Sequence, residues 1–310
     1  MKKSDFSATV IYLLRRINLN SSIAGILSII SACIIWGFAP VYYKLLVTVP
    51  PLELLSHRTI WSFIFFFGVL GFYGRVQELW AAILDLKDQL PLILLASVLI
   101  AINWFFFIYA IQTNQTTEAS LGYFMMPLVT VIWGLIIFRE KLSLFQWMSV
   151  LLAAIAVCIL TFGLGVPPWI ALILSFSFSI YAVLKKKLEV SPIVSVTGEV
   201  LVLVPIGLLL LSYFHMDGQG SFGGDWKVTC LLALSGPLTA APLILFSYGT
   251  RKVNLSTAGI LQYLNPSLQF FCAAYIFMEP ISRWHMLAFP LIWVALIIYS
   301  WVGIRKSRVI

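Results

Sequence analysis

Along the chain, long apolar runs alternate with short segments rich in charged, glycine and proline residues. A helix needs about 20 apolar residues to cross the hydrocarbon core of a bilayer. Reading between the breaks predicts helices over 23–44, 53–73, 90–111, 118–138, 144–162, 168–186, 196–214, 228–250, 256–277 and 284–303. The stretch Leu142–Leu184 carries no charge and is too long for one span. Gly163-Leu164-Gly165-Val166-Pro167-Pro168 divides it into a tight hairpin, because glycine and proline punctuate helices. The first run, Ile17 to Tyr43, is much longer than the apolar core of a cleavable leader, and no small-residue cleavage site stands out. Residues 1–22 therefore read as a cytoplasmic segment. Phe6–Asn18, with Arg15 and Arg16, is either an interfacial helix or a disordered tail.

Composition turns this pattern into a statement about solvent. Hydrophobic residues make up 61% of the chain and charged residues 10%, with a mean hydropathy of +0.99. Soluble domains carry roughly 25% charged residues. Too few charges remain to cover a water-exposed surface, so the lipid bilayer is the expected environment. The net charge of +8 does not point to nucleic acid, because the basic residues sit in short loops. Lysine and arginine favour the cytoplasmic side. With the N-terminus inside, that side holds Lys2, Lys3, Arg15, Arg16, Arg75, Lys87, Arg139, Lys141, Lys185, Lys186, Lys187, Arg251, Lys252, Arg305, Lys306 and Arg308. The far side keeps Lys44, Lys227 and Arg283. Both the even span count and an N-in, C-in topology follow. Cys33, Cys158, Cys230 and Cys272 lack CxxC spacing and read as small core-filling residues, with no metal site or disulfide framework.

The chain also resembles itself. Shifted by 139 residues, Asn103–Ser143 aligns without a gap on Pro242–Ser282. Phe107 meets Phe246, Tyr109 meets Tyr248, Pro127 meets Pro266, Glu140 meets Glu279 and Ser143 meets Ser282. Five helices per half is an odd number, so the second half enters from the opposite face. The expected fold is all-α and membrane-integral: ten helices as two inverted five-helix repeats, 23–162 and 168–303, with a cytoplasmic tail at 304–310. Inverted repeats of this kind build secondary transporters with a site between the halves. The expectation is that one half rocks against the other.

Several motifs resemble a known group. These are Trp36-Gly37-Phe38-Ala39-Pro40, His57-Arg58 with Trp61-Ser62, Asn103-Trp104, and Glu118-Ala119-Ser120-Leu121-Gly122-Tyr123-Phe124 with Pro127-Leu128. Gln262-Tyr263 with Pro266 and Ile292-Trp293-Val294-Ala295-Leu296 complete the set. Together they resemble the RarD group of the EamA, or drug/metabolite transporter, superfamily over about residues 22–303. The resemblance implies a bacterial inner-membrane transporter of ten helices with a central cavity. Superfamily members export amino acids and other metabolites, and others move nucleotide-linked sugars or cofactors. The group's chloramphenicol-related label names no substrate. One departure is Met126, where relatives usually carry asparagine before the proline; Asn265 before Pro266 is the candidate to compensate.

Ionisable groups inside a span are the first functional candidates, because a charge at the bilayer centre costs about 2.5–3.5 kcal/mol on insertion scales. Arg58, about one turn inside its predicted helix, either snorkels to the headgroups or faces a cavity as a fixed cation for a carboxylate or phosphate. His57 beside it points about 100° away. Glu199 is either a proton- or cation-sensitive gate or a helix-end carboxylate paired with Lys185 or Lys187. Glu118 suits the positive end of its own helix. Glu140 and Glu279 are expected to fix the turns that come after them. Asn103, Gln262 and Asn265 are amides for interhelical bonding or substrate. Trp36, Trp61, Trp104, Tyr123, Tyr181 and Tyr263 are candidates for an aromatic cavity, and so is Tyr42. Pro40, Pro127, Pro242 and Pro266 are expected to kink their helices.

Rival classes lack their signatures. His57, His215 and His285 are scattered, and HExxH, GxSxG and Walker A motifs are absent from the sequence. No enzyme, cofactor or catalytic residue is expected. No polar filter of a channel is visible. A non-transporting sensor or assembly protein is the remaining alternative. The expected function is a secondary transporter, an exporter of a small organic metabolite, amino acid or drug-like solute.

Overall fold

A computed structural model of the protein describes residues 21–85, 88–138, 143–165, 167–250, 252 and 261–307. Among these the regular structure is entirely helical. The helices are α1 (Ser21–Lys44), α2 (Pro51–Tyr73), α3 (Val76–Leu84), α4 (Gln89–Gln112), α5 (Thr116–Phe138) and α6 (Leu144–Leu164). They continue with α7 (Trp169–Lys187), α8 (Pro192–Met216), α9 (Trp226–Thr250), α10 (Leu264–Phe271) and α11 (Arg283–Ser307). A π-helical turn, Cys272–Ile276, prolongs α10. Phe6–Asn18, Lys87, Arg139, Glu140, Lys141, Arg251, residues 256–260 and Arg308 lie outside the described residues.

Local chemistry explains the boundaries. Pro51 and Pro192 open their helices at positions where no intrahelical N–H bond is needed. Ser143 and Gln146 form a capping box at the start of α6. Gly165, with φ 73°, closes α6 in the left-handed conformation that glycine adopts freely, and the break between α6 and α7 falls within the expected Gly163–Pro168 segment. Helix α3 corresponds to no apolar run. It is short and amphipathic, with Leu79 and Ala82 buried and Gln77, Glu78, Trp80 and Ala81 exposed. It is too brief to cross a bilayer and reads as a loop in an apolar count.

Among the described residues, six helices are long and apolar enough to span a membrane: Ile23–Lys44, Pro51–Tyr73, Gln89–Gln112, Leu144–Leu164, Ile193–Met216 and Trp226–Phe246. Trp169–Lys185 is apolar but shorter. Large apolar side chains stand exposed around the bundle, among them Phe162, Leu209 and Ile297. A surface of that kind suits lipid and would aggregate in water. Cys158 and Cys230 belong to this exposed surface, contrary to the core-filling expectation, whereas Cys33 and Cys272 are buried.

The two halves of the chain interleave. Helix α5 packs on α7, α6 on α11, α2 on both α8 and α9, α1 on α9 and α10, and α4 on α7. Each of these pairs joins a helix before Gly165 to one after it, so the seam between the two segments runs through the whole bundle. Close approach depends on missing side chains. A Cβ at Gly236 would collide with the backbone of Trp61, and one at Gly122 would lie 2.9 Å from the carbonyl oxygen of Ala171.

Buried carboxylates tie the interleaved helices. Glu279 accepts from the backbone N–H groups of Thr116 and Thr117 and from the Thr117 hydroxyl, each at 2.8 Å. It caps α5 rather than fixing its own turn, where Ser282 pairs with His285 instead. Met278, at φ 52°, makes the left-handed turn just before Glu279. Glu118 likewise does not serve its own helix. Its carboxylate interacts with the backbone N–H groups of Ile170 and Ala171 in the first turn of α7, and Oε2 is left without a hydrogen-bond partner among the described residues. Glu53 accepts from the Ser221 N–H at 2.7 Å and from its hydroxyl at 2.9 Å.

Two stability predictions result. Gly236→Ala should force α2 and α9 apart at a cost of about 1–3 kcal/mol, lowering the melting temperature in detergent. Gly68→Ala, with open space around the added methyl, should not. Glu279→Ala should lower the melting temperature more than Glu279→Gln, because charged hydrogen bonds contribute about 1.5–3 kcal/mol each and glutamine retains one acceptor. Equal melting of both variants with the parent would refute the cap.

Candidate functional site

The predicted site residues separate into a central group and several outliers. At the centre is Arg58. Helix α2 starts at Pro51, so Arg58 lies about 10 Å along it, deeper than the sequence suggested. The residue is 7% exposed, which removes the snorkelling alternative. Its guanidinium carbon sits 4.2 Å from the centre of the Trp104 ring and 5.6 Å from that of Tyr43. Nε and Nη1 are buried and have no hydrogen-bond partner among the described residues. A desolvated cation–π contact is worth about 2 kcal/mol, whereas burying an ion costs several. The aromatic rings alone do not balance this charge.

An aromatic ladder leads away from it. Tyr43 meets Phe107 edge-on at 5.9 Å, Phe107 meets Tyr123 at 5.6 Å, Tyr123 meets Phe178 at 6.4 Å and Phe178 meets Tyr181 at 5.4 Å. The Tyr123 hydroxyl donates to Asn103 Oδ1 at 3.0 Å. Asn103 Nδ2 donates to the Leu174 carbonyl and to Ser177 Oγ, at 3.0 and 3.1 Å. Asn103 thus holds α5 and α7 around α4, as a polar residue does between helices in a membrane.

The ladder ends at Glu199, which is 1% exposed. Its carboxylate accepts from the Tyr181 hydroxyl at 2.9 Å, Lys185 Nζ at 2.6 Å and Ser195 Oγ at 2.7 Å. Lys185 also donates to Ser195 Oγ. The pairing with Lys185 is the one the helix-end reading named. Arg58 and Glu199 therefore stand at opposite ends of one continuous row of rings.

Most of the remaining candidates lie elsewhere. His57 turns away from Arg58, as its helical position requires. Its ring stacks on Phe222 at 4.8 Å, and Nε2 lies 3.9 Å from Glu53. Trp61 also lies near Phe222, at 6.3 Å. Trp36 contacts Phe246 at 5.7 Å on the α1–α9 face. Asn265 accepts from Gln269 Nε2 at 3.0 Å within α10. Tyr263 packs with Phe124, Phe289 and their neighbours, and Gln262 is half-buried beside it. Tyr42 donates to the Leu231 carbonyl. Tyr42 also touches the Arg58 row, its ring edge-on to that of Tyr43 at 5.1 Å, whereas His57, Trp61, Trp36 and Asn265 make the separate contacts described above.

The sequence reading missed Tyr43, Phe107, Ser177, Phe178 and Ser195. A signal existed for one of them: Ser175, Ser177 and Ser179 punctuate an otherwise apolar helix, and polar residues there usually bond across helices. The others are ordinary apolar-run aromatics or helix-end polar residues until packing selects them. Among the described residues no group of histidine, cysteine and carboxylate side chains forms a metal site.

Comparison with known proteins agrees with this architecture. The EamA-like transporter family matches residues 23–162 and again 168–301. The chain is 37% identical to the uncharacterized transporter YojE of Bacillus subtilis, over 92% of this chain and 96% of that protein. It is 36% identical to Protein RarD of Streptomyces exfoliatus, over 93% and 92% of the two chains. Identity to Protein RarD of Escherichia coli is 35%, over 92% and 96%. A solved crystal structure at 16% identity shares the fold, with a TM-score of 0.60 over 91% of this chain and 98% of its own. With both matched segments and such relatives along nearly its full length, the chain is a multi-pass membrane protein of the EamA-like transporter family, in its RarD group.

Proposed function

We propose that the protein is a secondary transporter that exports a small organic metabolite, amino acid or drug-like solute across the bacterial inner membrane by alternating access. In this reading two inverted five-helix halves, 23–162 and 168–303, are placed N-in and C-in. The observation that carries it is the ladder from Arg58 to Glu199. It begins on α2, α4 and α5 of the first matched segment and ends on α7 and α8 of the second. Buried charge at a seam between repeats is where transporters of inverted design bind their cargo.

Glu199 is the proposed proton-sensitive element. Protonation of its carboxylate would weaken the Lys185 contact and free one end of the seam.

Flux in proteoliposomes, measured by uptake and counterflow over a metabolite panel with and without a pH gradient, tests the reading. Saturable, protein-dependent flux of at least one solute is expected; flux of none overturns it. Glu199→Gln should make the rate independent of pH while leaving the protein folded. A variant that keeps the parent's pH profile would exclude the gating role and leave the transporter reading intact.

A further inference from the structure

Arg58 differs from the buried carboxylates of Glu53, Glu199 and Glu279, each of which accepts hydrogen bonds from identified donors. Arg58 has its flat face against Trp104 and its Nε and Nη1 donors unused. None of those carboxylates is bonded to it, since each is already committed to another segment. A guanidinium held dry, with its edge donors open, is built to receive a planar oxyanion.

Two further features narrow what that oxyanion belongs to. There is one guanidinium at this place, so a single negative charge balances it and a phosphate dianion leaves a charge uncompensated. The neighbouring acceptors are also spent. Asn103 Oδ1 receives the Tyr123 hydroxyl, and the buried carboxylates of Glu53, Glu199 and Glu279 are engaged with other donors. A substrate ammonium would find no partner beside Arg58, and a buried unpaired ammonium is strongly disfavoured. The surrounding surface is aromatic: Tyr43, Trp104, Phe107 and Tyr123. Such walls favour an apolar, flat body.

Resting on the transporter reading above, we infer that the Arg58 site takes an organic monocarboxylate with an aromatic or otherwise flat apolar body, in preference to zwitterionic amino acids. The carboxylate would meet the Arg58 edge, and the body would lie along the ladder once the seam there opens.

Four probes with one ring and different charge test this on the purified full-length protein in detergent. They are phenylpyruvate, phenylalanine, phenylacetamide and phenyl phosphate, titrated by calorimetry. Phenylpyruvate should bind at least about tenfold more tightly than the other three. Arg58→Gln should bring phenylpyruvate down to the level of phenylacetamide. Arg58→Lys should retain part of the preference, and it serves as the test if the glutamine variant is not monodisperse on gel filtration. Phenylalanine or phenyl phosphate binding as tightly as phenylpyruvate overturns the assignment. So does binding of none of the four, or an anion preference that survives Arg58→Gln. Parallel flux measurements in proteoliposomes separate this claim from the broader one. Arg58-dependent binding with no flux of any solute sinks the transporter reading alone, whereas flux without preference for the monoanion sinks the substrate class alone.

Discussion

A charge removed from water must find a partner, and in a chain with this little polar material each partner also joins two helices. That requirement organises the bundle. The carboxylate of Glu279 closes the open amides at the start of α5, Glu118 interacts with those at the start of α7, and Glu53 holds the segment around Ser221. All three contacts connect the part of the chain before Gly165 with the part after it. Helix N-termini carry partial positive charge and unpaired N–H groups, so one glutamate relieves two deficits at once. Arg58 is conspicuous against this background because it meets aromatic faces while its Nε and Nη1 find no acceptor among the described residues.

Interleaving changes how the molecule can move. Glycines let α2 approach α9 and α5 approach α7 until backbone meets side chain. Close contacts of that kind behave as rigid units, since packed interiors are stiff. Seams made through side-chain tips part more readily. The aromatic ladder is such a place: its rings meet at 5.4–6.4 Å, edge-on or tilted rather than interlocked. A row of rings can slide or part without leaving backbone hydrogen bonds unmade, whereas parting the Glu279 cap leaves at least two.

The sequence was most informative where one-dimensional pattern suffices. Run length and glycine–proline breaks located the described long helices to within a few residues. Helix α3 escaped because its signal is amphipathic rather than apolar. For the site, charge in an apolar run pointed to Arg58 and Glu199, and Asn103, Trp104, Tyr123 and Tyr181 join them. Which face of a helix meets which neighbour is not a local property. His57 is adjacent to Arg58 in sequence yet serves the Glu53–Phe222 corner. Trp36 and Tyr263 sit in motifs as distinctive as Trp104's, but their helices present them to other neighbours. Tyr43 carried no mark at all; only the fold places its ring against a guanidinium from another helix.

The π-helical turn at Cys272–Ile276 has a consequence for the repeat itself. There Phe277 N bonds to the Cys272 carbonyl at 2.8 Å, five residues back. The aligned stretch in the first half, from Trp133 to Ile137, lies in ordinary α-helix. The letters align without a gap, but the backbones are wound differently, and an extra residue in one turn rotates the residues after it by about 100°. Likeness of sequence at a shift of 139 residues therefore does not carry over to the winding of the backbone at this turn, where one stretch is α-helical and the other π-helical.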